Sequence, residues 1–158
     1  MGVKLLLEKA HVQGIRSYEV YRREGGYRGA EKAIKTMSTD DIVEEVKKSG
    51  LRGRGGAGFP AGMKWGFIAK PEGIPRHLVC NADESEPGTF KDRYLMENIP
   101  HLLIEGLIIS SFALGSHATY IYIRGEYAWI VDILERAIGE AKANGFLTWC
   151  LIFQTFPS

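Results

Sequence analysis

RHLVCNADESEPGTFKDR, Arg76 to Arg93, passes from an apolar stretch into a polar one without a break. Its first part, Arg76 to Ala82, has the length and composition of a short buried strand. The acids Asp83, Glu84 and Glu86 follow at once, so the strand delivers the chain into an acidic loop. Downstream, Pro100 opens an apolar helix that ends near Gly115. ATYIYIR, Ala118 to Arg124, then alternates as a second strand. YAWIVDILERAIGEAKANG, Tyr127 to Gly145, reads as an amphipathic helix closed by Asn144 and Gly145. The order strand, helix, strand, helix predicts an α/β domain with a parallel sheet and right-handed crossovers. Ligands of such sheets bind at the carboxyl ends of the strands, which puts the acidic loop and Gly125 to Tyr127 on the binding edge.

Upstream, STDDIVEEVKKSG (Ser38 to Gly50) predicts a helix. Ser38 or Thr39 is its cap, acids occupy the first turn, Ile42, Val43 and Val46 share one face, and lysines precede Gly50. Residues 1–37 form an N-terminal arm, in which YRREGGYRGAEKAIKT places a Gly-Gly turn before a short basic helix. Between the capped helix and the strand lies GRGGAGFPAGMKW, Gly53 to Trp65. Gly53, Gly55 and Gly58 match G-x-G-x-x-G, but a dinucleotide fingerprint follows a strand and here a helix precedes it. Glycines still permit positive φ and let backbone N–H groups approach a planar or anionic ligand, and Lys64 adds a cation. A flexible turn is the alternative. Phe59 and Phe67 are placed to sandwich an aromatic ring, or else to pack in the core.

The 158 residues make about one domain, 45% hydrophobic and 25% charged, with 20 Lys+Arg against 19 Asp+Glu. That balance gives neither a basic surface for nucleic acid nor an acidic disordered tail. Cys80 and Cys150 are too few and too far apart for a disulfide framework, which fits a reducing compartment. The N-terminal apolar run is too short for a signal peptide. HLLIEGLIISSFALG, His101 to Gly115, carries Glu105 and falls short of the roughly 20 residues a spanning helix needs. Clustered acids such as Asp83, Glu84 and Glu86 persist where hydroxyl, imide or amine donors meet them. A divalent cation or a plain solvated loop capped by Asp83 or Ser85 are the other readings. His11 and His117 read as surface residues, whereas His77 and His101 flank the strand and helix start. None has a serine or cysteine partner for nucleophilic catalysis.

SGLRGRGGAGFPAGMKWGF, LVCNADESEPGTFKDRYLME, PHLLIEG and YIYIRGEY together resemble the 51-kilodalton family, the NADH-binding flavoprotein of respiratory NADH:quinone oxidoreductase (complex I), over about residues 11–147. The module also occurs in NAD-reducing hydrogenases and NAD-dependent formate dehydrogenases. The resemblance implies a Rossmann-like FMN domain that oxidises NADH and passes electrons to iron–sulfur centres and quinone. It implies FMN contacts at Gly53, Gly55, Lys64, Asn81, Asp83, Glu84 and Ser85. It implies NAD contacts at Gly53, Arg54, Gly55, Gly56, Gly58, Phe59, Phe67 and Glu86. No residue of the chain is then a catalytic acid or nucleophile, because the cofactors carry the chemistry. Partners would be the iron–sulfur subunits of an NADH dehydrogenase module, peripheral on the cytoplasmic side of the inner membrane.

Ala61 and Gly66 stand where the family commonly has threonine and serine. Residues 38–147 are expected to be the N-terminal part of the FMN and NADH domain. The 148–158 segment, TWCLIFQTFPS, resembles nothing in the family, and the ligands of its four-iron, four-sulfur cluster do not appear in this chain. A truncated or frame-shifted end is the expectation, with weak flavin binding as its consequence. A non-catalytic remnant that binds nucleotide or a partner is the alternative.

Overall fold

The computed structural model describes residues 5–68 and 73–147, and the backbone of 151–153. Two short helices lead. α1 (Tyr18–Arg23) is capped by Ser17, and α2 (Arg28–Thr36) follows the Gly25-Gly26 turn. At Gly26 a Cβ would lie 2.1 Å from the Tyr21 ring, so the turn admits no side chain. α3 (Thr39–Ser49) has the expected Ser38 cap, here a full capping box with Asp41, and Gly50 ends it at φ 67°. α4 (Ala61–Gly66) packs on α3, and a Cβ at Gly62 would stand 2.5 Å from the Lys47 backbone nitrogen.

The predicted strand is β1 (His77–Ala82), and the polar stretch after it contains a helix that the sequence does not announce, α5 (Lys91–Asn98). α6 (Pro100–Leu114), β2 (Ala118–Ile123), a single 3₁₀ turn (Gly125–Tyr127) and α7 (Ala128–Ala143) complete the predicted order. β1 pairs parallel with β2 in the register His77 with Ala118 through Ala82 with Ile123. β2 pairs parallel with β3 (Leu151–Phe153), giving the order β1-β2-β3. The fold is therefore the expected α/β arrangement, with a strand inside the C-terminal segment as well. The other residues of that segment, and residues 69–72 and 1–4, lie outside the described set.

Leu78, Cys80 and Ala82 of β1 and Ile121 and Ile123 of β2 join Ile104, Leu107 and Ile108 of α6 and Ile130 and Leu134 of α7 in one core. The period-2 face of the strands thus meets the 3.6-period faces of the helices. Ile15, Tyr21, Tyr27 and Ala30 belong to the same cluster, so the N-terminal arm is part of the domain core. On the opposite side of β1, Val79 is 59% exposed. Among the described residues no helix is long and apolar enough to cross a membrane.

Glu105, the one acid of the apolar helix, explains how the arm is fixed. Its Oε2 accepts hydrogen bonds from the Tyr21 hydroxyl at 2.7 Å and the Tyr27 N–H at 2.8 Å, and its Oε1 accepts one from the Ala30 N–H at 3.1 Å. The carboxylate therefore caps the amino end of α2, whose own cap residue Tyr27 supplies no side-chain bond. Tyr27 is the one described non-glycine residue with positive φ, 61°. It is held there by Glu105 and by stacking on Phe146 at 4.3 Å. The network continues from the Tyr27 hydroxyl to His101 Nδ1 at 2.8 Å and from His101 Nε2 to Glu140 at 3.1 Å. A carboxylate only accepts, so Nε2 carries the proton of the neutral ring and Nδ1 takes the tyrosine hydrogen.

Replacing Glu105 with alanine orphans three buried donors and is expected to cost about 3 kcal/mol of unfolding free energy, read by urea denaturation at constant slope. Burial is the main influence on His101 and holds its pKa below the ordinary 6.5, against the opposing pull of Glu140 and Glu19. The unfolded chain therefore takes up this proton at a higher pH than the folded chain. Stability is full above about pH 6.5 and falls as pH drops below it. The unfolding temperature is expected to fall between about pH 7.5 and about pH 5.5, with a shallower slope in His101→Gln.

Candidate functional site

At the carboxyl end of β1 the chain turns on its own side chains. Asn81 Oδ1 accepts the Asp83 N–H at 3.1 Å, and Asp83 Oδ1 accepts the Ser85 hydroxyl at 2.8 Å. These two short bonds leave Asn81, Asp83, Ser85 and Glu86 exposed on one loop. Glu84 alone turns inward and is 5% exposed. Its Oε1 accepts the Asp92 N–H at 2.9 Å and its Oε2 the Arg93 N–H at 3.1 Å. These are amides of the first turn of α5, whose cap residue Phe90 offers no side-chain bond. The Glu84 carboxylate is thus spent on a helix end, with Lys91 Nζ 3.8 Å away. A divalent cation reading loses this carboxylate, and among the described residues no group of three or more His, Cys, Asp or Glu side chains is placed to hold a metal ion.

Register brings the second loop alongside, because Ala82 and Ile123 are partners. Arg124 Nη1 donates to the Glu84 carbonyl at 2.9 Å. Its Nε and Nη2 reach both oxygens of Glu126 at 2.9 and 2.6 Å. The hydrogen bond from Arg124 is the main cause that lowers the Glu126 carboxyl to about 2, and the same pair raises the guanidinium. Tyr127 is buried beneath, its ring 5.5 Å from the Arg124 guanidinium and 5.8 Å from that of Arg93. Arg124 is a residue of this edge that motif reading passed over. Its signal was its place directly after the strand, before the Gly-Glu-Tyr already assigned to the edge.

The glycine-rich segment closes on itself. Gly53 N–H donates to the Phe59 carbonyl at 2.9 Å, Ala61 N–H to the Leu51 carbonyl at 2.8 Å, and Arg52 Nη1 to the Gly58 carbonyl at 3.0 Å. Gly56 and Gly58 need their glycine, with φ of 106° and 61°. Gly55 does not: it has no positive φ, and a Cβ there would meet nothing within 4 Å. Neither a positive φ nor a packed neighbour requires glycine at 55. Arg54, next in the chain, and Lys64 of α4 are both exposed. Phe59 and Phe67 lean on each other at 6.4 Å and 54°, so a ring enters between them only if one rotates. No hydrogen bond, ion pair or ring contact among the described residues joins this loop to the acidic one.

An apolar cavity of about 320 Å³ lies under β1, between α5 and α6, lined by Cys80, Met96, Leu103 and Leu107 among others. Burial pushes the Cys80 thiol up to about 11, so it stays protonated. Its lining suits no phosphate-bearing ligand.

Glu84→Ala removes the partner of two helix amides and is expected to cost about 2 kcal/mol of stability, whereas Glu86→Ala on the exposed side stays within about 0.5 kcal/mol, both read by urea denaturation.

Residues 46–158 match the Nuo51 FMN-binding domain, a span that takes in both loops, the sheet and the segment after Leu147. An NADH-quinone oxidoreductase subunit of Rhizobium meliloti is 53% identical over 143 residues, covering 90% of this chain and 34% of the relative. Its counterpart in Aquifex aeolicus, also an NADH-quinone oxidoreductase subunit, is 55% identical over 145 residues, covering 92% and 34%. Among solved structures, an air-oxidised NAD⁺-reducing [NiFe]-hydrogenase superposes with a TM-score of 0.73 at 34% identity, over 98% of this chain and 24% of that one. The chain thus spans about a third of the length of the curated relatives it matches. With its parallel sheet, its acidic edge loop and a family match across most of its length, the chain belongs to the Nuo51 FMN-binding domain family.

Proposed function

We propose that this chain forms part of the FMN and NADH site of an NADH:quinone oxidoreductase flavoprotein. The observation that carries the proposal is the loop 83–90, fixed at the carboxyl edge of a parallel sheet inside the family-matched span. That is where open α/β sheets receive ligands.

The residues present fit FMN. Gly55 offers bare backbone with open space where a side chain would stand, and Lys64 has no ion pair among the described residues to compete with a phosphate or a developing negative charge. Asn81, Asp83 and Ser85 present amide, carboxylate and hydroxyl groups to hydroxyl and imide donors. Glu84 contributes by holding the loop, and its neighbours make the contacts. Arg54, Gly53, Gly56, Gly58, Phe59, Phe67 and Glu86 would meet the nicotinamide nucleotide. Phe67, 71% exposed, is the aromatic face most available to it. When bound, FMN supplies a group that accepts hydride from NADH and releases electrons singly to iron–sulfur partners. The chain's own task is positioning, which requires no general acid.

The relatives at 53% and 55% identity are NADH-quinone oxidoreductase subunits, and the NAD⁺-reducing hydrogenase at 34% fits the alternative of a hydrogenase diaphorase module. Peripheral attachment on the cytoplasmic side of a membrane, with iron–sulfur subunits as neighbours, is the setting the quinone-linked reading implies.

The test is a flavin titration of the purified chain followed by NADH. Bound FMN that bleaches on NADH addition is expected, and Asp83→Ala weakens FMN by about tenfold. A chain that binds no FMN at any concentration tested overturns the proposal.

A further inference from the structure

We propose that Arg124 is a positioning residue of this FMN site, acting through the backbone of the acidic loop and never touching the flavin. The inference rests on the FMN reading above. Each guanidinium nitrogen is already committed: Nη1 to the Glu84 carbonyl, Nε and Nη2 to Glu126. Lys64, by contrast, has no such partner among the described residues. Three of the five guanidinium N–H donors are taken and Glu126 already balances the charge, which makes Arg124 a weakened phosphate ligand.

What Arg124 holds is specific. The Glu84 carbonyl lies between Asp83 and Ser85 in the chain, so its direction sets theirs. The Tyr127 hydroxyl approaches the same oxygen at 3.4 Å, and the Tyr127 ring lies under the guanidinium. The other end of Glu84, its carboxylate, is fastened to α5. The loop is thereby stretched between the amino end of one helix and the carboxyl end of β2, with Glu84 as the link and Arg124 as its outer fastening. The planar fork of arginine makes the two Glu126 bonds and the carbonyl bond at once. Lysine, a single ammonium, does not.

The experiment compares the full chain with Arg124→Gln and Arg124→Lys. FMN and riboflavin are titrated into each, and amide hydrogen exchange is measured without ligand. Expected are a loss of about tenfold in affinity for both flavins alike in Arg124→Gln, and partial recovery in Arg124→Lys. Faster exchange at the Asp83, Asp92 and Arg93 amides, with α7 unchanged, is expected alongside. A loss confined to FMN would make Arg124 a direct phosphate ligand and overturn the proposal. So would unchanged exchange at those three amides, or faster exchange throughout the chain at equal affinity. Wild-type chain that binds neither flavin refutes the FMN reading and with it the ligand half of this inference, while the exchange data still decide the fastening.

Discussion

The Glu84 carboxylate, shared between the amides of Asp92 and Arg93, determines where the polar edge of this protein stands. Without it α5 begins with two half-buried amides lacking a side-chain partner and the loop from β1 has no anchor on the helix side. One buried acid therefore joins three elements: its backbone leaves β1, its side chain starts α5, and its carbonyl receives Arg124 from the end of β2. Glu105 repeats the device for the arm, capping α2 from within α6 across 75 residues of sequence. Both acids lie inside the protein for the same reason. A helix amino end carries a partial positive charge and unsatisfied donors, and a carboxylate meets both needs in the low dielectric of the core.

These long-range caps also mark the limit of what the sequence revealed. α3 was legible down to its cap and its Gly50 terminus, because a capping box and an αL glycine are local chemistry. β1, α6, β2 and α7 were legible from local signals: a short apolar strand, an apolar run bounded by Pro100 and Gly115, an alternating strand and an amphipathic helix. α5 was not. Its cap position is Phe90, and the acid that satisfies its first turn sits several residues upstream in what reads as loop. α4 was hidden by its glycines, of which Gly62 serves the contact with Lys47 of α3 and not a ligand. Glu105 was visible as an interruption of the apolar run, but its partners Tyr27 and Ala30 are named only by the fold.

The candidate site was legible as a set of residue types and not as a division of labour. Asn81, Asp83 and Ser85 remain exposed as a ligand loop requires, while Glu84, from the same motif, has gone to the interior. The burial alternation of β1 runs on past the strand, with Leu78, Cys80, Ala82 and Glu84 inward and Asn81, Asp83 and Ser85 exposed, so Glu84 keeps the inward parity of the strand. A Cβ would meet nothing within 4 Å at either Gly55 or Gly56, and it is the positive φ of Gly56, absent at Gly55, that separates the turn glycine from its neighbour. Arg124 was overlooked because an arginine after a strand has no motif of its own. Its meaning comes from register, which sets Ile123 beside Ala82.

The central claim is that the glycine loop and the acidic loop are two parts of one flavin surface, although no direct bond among the described residues joins them. Amide chemical-shift mapping of the isotopically labelled chain during FMN addition tests this most directly. Coordinated shifts at Gly53 to Gly58 and at Asn81 to Glu86, saturating together, are the predicted result. Shifts in only one of the two loops, or shifts centred on Cys80, Met96 and Leu107 around the apolar cavity under β1, would contradict it.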